Sequence, residues 1–150
     1  MKESLALGSG QPSRLLLDTH VLLWLVLGES QLGAEARQAI SHSARVDRLL
    51  ISAITPWEIG VLVSKKRIDL HREIMAWMRD ALSWPGIKLA PLEPEIAVAS
   101  TRFAFEMHPD PADRILVATA RHLSATLVTA DRALLDLAGK GHFRALDATV

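Results

Sequence analysis

The sequence predicts an α/β domain, with a central, mostly parallel five-stranded sheet covered by helices on both faces. Three observations carry that reading. Short apolar runs such as Leu15-Leu16-Leu17 alternate along the chain with segments of helical periodicity. Those helical segments are long enough to act as the crossovers that consecutive parallel strands require. The chain has 150 residues, 49% of them hydrophobic, which is enough for one domain that buries roughly 70% of its unfolded surface.

The elements follow in order. Residues 1–13 contain Gly8, Ser9, Gly10 and Pro12, so a flexible leader is expected ahead of a domain over 14–150. The apolar run behind this leader carries a charge and lacks a cleavage signature, so no signal peptide is expected. Leu15-Leu16-Leu17 is a buried strand, followed by a helix over residues 21–27. That uninterrupted apolar stretch is far short of the ~20 residues a membrane span needs. Residues 33–42 form a short amphipathic helix, 48–52 a second strand, and 57–65 the helix after it. Residues 71–83 are helical, with Ile74, Trp77 and Met78 at the i, i+3, i+4 spacing of one apolar face. Pro85-Gly86 turns the chain into a third strand over 87–90, and Pro94 opens a helix reaching 103. A strongly apolar helix over 111–123 leads into a fourth strand, 126–129. Residues 130–137 are helical, ended by Gly139 or Gly141, and 143–146 form a fifth, weaker strand.

Sheets of this kind place their sites beyond the carboxyl ends of the strands, where the strand order reverses. Asp18 closes the first strand, Glu58 opens the helix after the second, and Asp131 follows the fourth. Asp113 lies in the first turn of the helix that delivers the chain into that fourth strand. It reaches the same edge because the helix runs antiparallel to the strand. Each acid also has a structural reading. Thr55-Pro56-Trp57-Glu58 has the form of a capping box. Asp110 can cap the helix that Asp113 favours by charge, and Asp131 can serve its own helix behind Thr129 as cap. Asp18 can cap the helix it precedes. The joint pattern points further: acids converging on one edge repel one another, and a divalent cation is the simplest remedy. Oxygen ligands without cysteine favour magnesium or manganese over zinc. Such a site supports hydrolysis of a phosphodiester by a metal-activated water.

Other features are weaker. The 17 basic and 17 acidic residues balance, which argues against a general nucleic-acid binder that grips by charge. No cysteine is present, which excludes disulfides and thiolate metal sites; a cytoplasmic location is the default. Lys65-Lys66-Arg67, the one basic run, suits a helix end and a solvated face, with RNA contact as the alternative. Arg114 and Arg121 share a helical face beside the acids and could hold phosphates, while Thr19 and Thr129 could donate to a bound water or phosphate. The six histidines lack the i, i+4 spacing of a zinc helix, and the four tryptophans read as core or interface rather than stacking platforms.

The segments around the acids resemble the PIN-domain nucleases, and within them the VapC-like toxins of toxin–antitoxin modules. The residues that carry the likeness are Leu15-Leu16-Leu17-Asp18-Thr19-His20 with Val21-Leu22-Leu23-Trp24, and Ser52-Ala53-Ile54-Thr55-Pro56-Trp57-Glu58-Ile59-Gly60. Two further segments are His108-Pro109-Asp110-Pro111-Ala112-Asp113-Arg114 with its helix, and Leu127-Val128-Thr129-Ala130-Asp131. They run in the family's order over about residues 14–147. The resemblance implies a three-layer α/β/α fold and an acidic quartet at Asp18, Glu58, Asp113 and Asp131. It also implies magnesium or manganese dependence, RNA cleavage, homodimerisation and inhibition by a cognate antitoxin. Two rivals are a haloacid-dehalogenase-like phosphohydrolase with Asp18 as nucleophile and a non-enzymatic partner-binding module. The first needs a second aspartate where His20 stands, and the second predicts no specific effect of divalent ions on stability.

Overall fold

A computed structural model describes residues 14–150; the leader expected over residues 1–13 lies outside the described residues. The strands are β1 (Leu15–Leu17), β2 (Leu49–Ser52), β3 (Ile87–Ala90), β4 (Thr126–Thr129) and β5 (Arg144–Asp147). They form one sheet in the order β3-β2-β1-β4-β5, and every neighbouring pair is parallel. The first strand therefore lies in the middle. From β1 the chain steps outward through β2 and β3, then returns to the other side of β1 for β4 and β5. The strand order reverses between β1 and β4.

The helices are α1 (Thr19–Leu27), α2 (Ala34–Ala44), α3 (Ile54–Ser64), α4 (Ile74–Leu82), α5 (Pro94–Ala99), α6 (Pro111–Leu123) and α7 (Arg132–Gly139). Because strand side chains alternate between faces, the leucines of β1 feed two cores. Leu15 and Leu17 pack with Val21, Leu22, Ile40, Ile51, Ile59 and Trp77, against α1 to α4. Leu16 packs on the other side with Leu116, Val117, Leu127 and Leu134, against α6 and α7. This is the expected three-layer α/β/α arrangement. No helix among the described residues is long and apolar enough to cross a membrane.

Helix ends differ from expectation where polar side chains intervene. α1 begins at Thr19 because the Asp18 side chain accepts a hydrogen bond from the Thr19 N–H. α5 stops at Ala99, short of residue 103, as the Ser100 and Thr101 hydroxyls donate to the carbonyls of Ala97 and Val98, each at 2.7 Å. Short hydroxyl side chains compete with the helical ladder in this way. The turn into β3 needs Gly86 twice over. Its φ is +88°, and a Cβ there would lie 2.0 Å from the Ala44 carbonyl oxygen.

Candidate active site

The reversal between β1 and β4 sets the geometry of the edge. The ladder pairs Leu17 with Val128, and the Asp18 N–H continues it by donating to the Val128 carbonyl at 3.0 Å. Asp18 is therefore held beside Thr129, the last residue of β4. The Thr129 hydroxyl donates to Asp18 Oδ2 at 2.6 Å, and Thr19 N–H donates to Asp18 Oδ1 at 2.6 Å. Asp18 is only 9% exposed. Burial pushes its carboxyl above the usual range, while the two hydrogen bonds and the nearby His20 pull it down and Asp131 raises it further.

Thr129 Oγ1 also accepts from the Asp131 N–H at 3.0 Å, so one hydroxyl joins two of the acids. Asp131 is exposed and caps α7, its Oδ1 accepting from the Leu134 N–H at 3.1 Å. The cap is Asp131 itself and not Thr129, which corrects the sequence reading.

Glu58 is placed from a different direction. The expected capping box at Thr55 does not form: α3 starts earlier, and Ser52 Oγ accepts from the Ile54 N–H at 3.1 Å in its place. Thr55 is buried, with its hydroxyl oxygen 3.4 Å from that of Thr19. Glu58 Oε1 instead accepts from the Thr19 hydroxyl at 2.5 Å. Burial raises the Glu58 carboxyl, with Asp18 and Asp110 adding to the rise and the Thr19 hydrogen bond and His20 opposing it.

Asp113 stands in the first turn of α6, where Asp110 Oδ1 accepts from its N–H at 2.9 Å as the sequence predicts. Its carboxyl is pushed up to about 7, first by burial and then by the charges of Asp18, Asp110, Asp131 and Glu58. Each of the other expected acids thus acts on Asp113, and Asp110 joins them as a fifth. His108 Nε2 lies 3.4 Å from Asp113 Oδ2. Asp110 and His108 were not singled out as site residues in the sequence, although His108-Pro109-Asp110 stands directly before the helix.

Thr19, Thr129 and Arg114, expected to contact substrate, direct their donors to the protein. The two hydroxyls fix carboxylates. Arg114 donates from Nε to the Ser100 carbonyl at 2.7 Å and from Nη1 to those of Met107 and His108 at 3.0 and 3.4 Å. Its guanidinium lies 5.0 Å from the centre of the Phe103 ring. It braces the segment that carries His108 to Asp113. Arg121 lies over Phe105 and donates to the His142 carbonyl, away from the acids.

Among the described residues no three acidic or histidine side chains form a ready-made metal cage. The threonine hydroxyls and helix N–H groups hold several of the carboxylate oxygens in place. The donor set nevertheless fits a hard divalent cation: it is all oxygen, it is partly buried, and burial together with its like charges raises Asp113 to about 7. A largely apolar cavity of about 730 Å³ lies elsewhere, lined by Glu95, Val98, Phe103, Ala118 and Arg121, and Asp18, Glu58, Asp113 and Asp131 do not border it.

Comparison with known proteins agrees with this geometry. A family model described as PIN domain matches residues 15–140. Ribonuclease VapC22 of Mycobacterium tuberculosis is 32% identical over 120 residues, covering 80% of this chain and 88% of that protein. The fold is shared with VapBC2 from Rickettsia felis bound to a promoter DNA fragment, at a TM-score of 0.65 and 14% identity over 88% of this chain and 96% of that one. It is shared also with a toxin–antitoxin complex from Klebsiella pneumoniae, at a TM-score of 0.58 and 22% identity over 89% of this chain and 97% of that one.

Proposed function

The chain belongs to the PIN-domain family, and on that premise we propose that it is an endoribonuclease, the toxin of a toxin–antitoxin pair. The observation that carries the reading is that a chain matched by the PIN-domain model and by a ribonuclease over most of its length places Asp18 and Asp131 at the β1/β4 reversal, with Glu58 tied to the same edge through Thr19. Asp18, Glu58, Asp113 and Asp131 would hold magnesium, or manganese in its place. When bound, such an ion supplies an activated water and neutralises charge on a phosphodiester. The chain's own residues prepare that chemistry. Thr129 orients Asp18, Thr19 orients Glu58, and burial around β1 and β4 strengthens every charge interaction at the edge.

The working unit is the domain over residues 14–150, acting in the cytoplasm on RNA. A second copy of the chain and a cognate antitoxin are its expected partners, in keeping with the toxin–antitoxin complex that shares its fold. Nothing favours an aspartyl-phosphate mechanism. Both Asp18 oxygens accept hydrogen bonds, and His20 stands where such enzymes need a second aspartate.

The test is incubation of purified protein with mixed RNA in magnesium, manganese or chelator, followed by mapping of the cut ends. Cleavage that requires the ion and disappears in Asp18→Asn supports the reading. Equal cleavage by a folded Asp18→Asn protein overturns it.

A further inference from the structure

We propose that Trp57 is a stacking platform for a base of single-stranded RNA beside the cleaved bond, with Lys65, at the C-cap of α3, taking a phosphate further along. The inference rests on the ribonuclease reading and adds where the RNA lies. α3 turns Thr55 and Ile59 into the core. Glu58 and Lys65, seven residues apart, fall on one line of the helix, about 10 Å from end to end at 1.5 Å per residue. Trp57 and Val61 border that line on the solvent side, one turn apart. The line begins at the acidic edge, where Glu58 receives the Thr19 hydroxyl, and ends at the exposed Lys65, Lys66 and Arg67.

Trp57 is 56% exposed, whereas Trp77 on α4 is 3% exposed. Among the described residues Trp57 is the most open of the large apolar side chains, ahead of Val98 at 51% and Trp84 at 39%. Its helical neighbour one turn on is Gly60, where an added Cβ would meet nothing within 4 Å, so the surface beside the indole is clear. An unstacked base can lie on such a surface whatever its identity, because every base has a π-face. Its phosphates then run toward the basic end of α3, the charge pattern a polyanion requires. A duplex keeps its bases stacked inside and gains nothing from the indole.

Cleavage of a single-stranded RNA oligonucleotide by the full chain, with magnesium or manganese, tests the proposal. Trp57→Ala should raise KM about tenfold, the scale of losing one base–aromatic stack, with kcat within about threefold and the melting temperature unchanged. Trp57→Phe should keep most of the affinity. Lys65→Gln should lessen the slope of log(1/KM) against log salt by about 0.7, one phosphate's share for a single strand. RNA binding to the Asp18→Asn protein should quench tryptophan fluorescence more than binding to Asp18→Asn carrying Trp57→Phe. If the unaltered protein cleaves but KM and quenching are indifferent to Trp57, the platform is overturned and the ribonuclease reading stands. Loss of self-association or antitoxin binding in Trp57→Ala, at unchanged KM, overturns it in favour of a protein interface. If the unaltered protein neither cleaves nor binds RNA, both readings fall together.

Discussion

The acidic edge has two halves that are held in different ways. In the strand half, at the ends of β1 and β4, Asp18 is buried with a donor on each oxygen, and Thr129 links it to the Asp131 backbone. In the helix half, Asp113 starts α6 with His108 at 3.4 Å beside it and other acids acting on it. Burial raises both carboxyls, and at Asp18 the hydrogen bonds from Thr129 and Thr19 offset part of the rise. The strand half is pre-organised by the protein. The helix half is under electrostatic load, and relief of that load is what a cation offers.

The largest expected effect breaks the strand half. Asp18→Asn should lower RNA cleavage by at least about a thousandfold, since the proposed ion would lose the charge of one ligand. Melting should change little, because asparagine still caps α1. Thermal unfolding alongside a gel-based cleavage assay checks both. Asp113→Asn should cost nearly as much activity but separate the halves in stability. Without metal at pH 7.5 it should stabilise the protein by about 1–2 kcal/mol, because it removes a carboxylate whose charge is opposed first by burial and then by its neighbours. Chemical denaturation in chelator would measure this, and a loss of stability would show that Asp113 is held by donors after all.

A smaller effect comes from Thr129→Val, which removes the donor to Asp18 and the acceptor for the Asp131 N–H. It should destabilise the fold by about 1–3 kcal/mol and reduce kcat about tenfold, and Thr129→Ser should restore both. The smallest concerns pH. The folded protein holds a proton on Asp113 up to about 7, well above the ordinary carboxylate range. Folding therefore takes up a proton across that window. This stability contribution is full below the unfolded value and is lost as pH rises through about 7. Melting in chelator should fall between about pH 4 and 7 by the equivalent of about 1–2 kcal/mol, and the fall should flatten in Asp113→Asn.

Most of the fold was legible because periodicity is a local signal. The strand runs, the Trp77–Met78 face and the Asp110 cap all lie within a few residues of their cause. The acids were legible as positions at strand ends and helix starts. Their partners were not. Thr55 and Glu58 have the spacing of a capping box, but Ser52 takes the first helical N–H and Glu58 turns to Thr19, 39 residues earlier. Arg114 resembles a phosphate ligand from its place beside Asp113, yet its guanidinium reaches carbonyls of the preceding loop, which no spacing rule reveals. Thr129 was read as a cap or a substrate donor, and its bond to Asp18 depends on β4 returning beside β1.

That last bond has a consequence in time. Asp18 and Thr129 are separated by 111 residues, and contacts of such long sequence separation are slow to close. A ribosome that has made the first hundred residues has already made Asp18 and Glu58, but neither β4 nor the hydroxyl that fixes Asp18. The growing chain therefore carries the acids without the arrangement that makes them work. The pairing of Asp18 with Thr129 can form only once β4 has been made, so this part of the edge is completed by the last stretch of the chain.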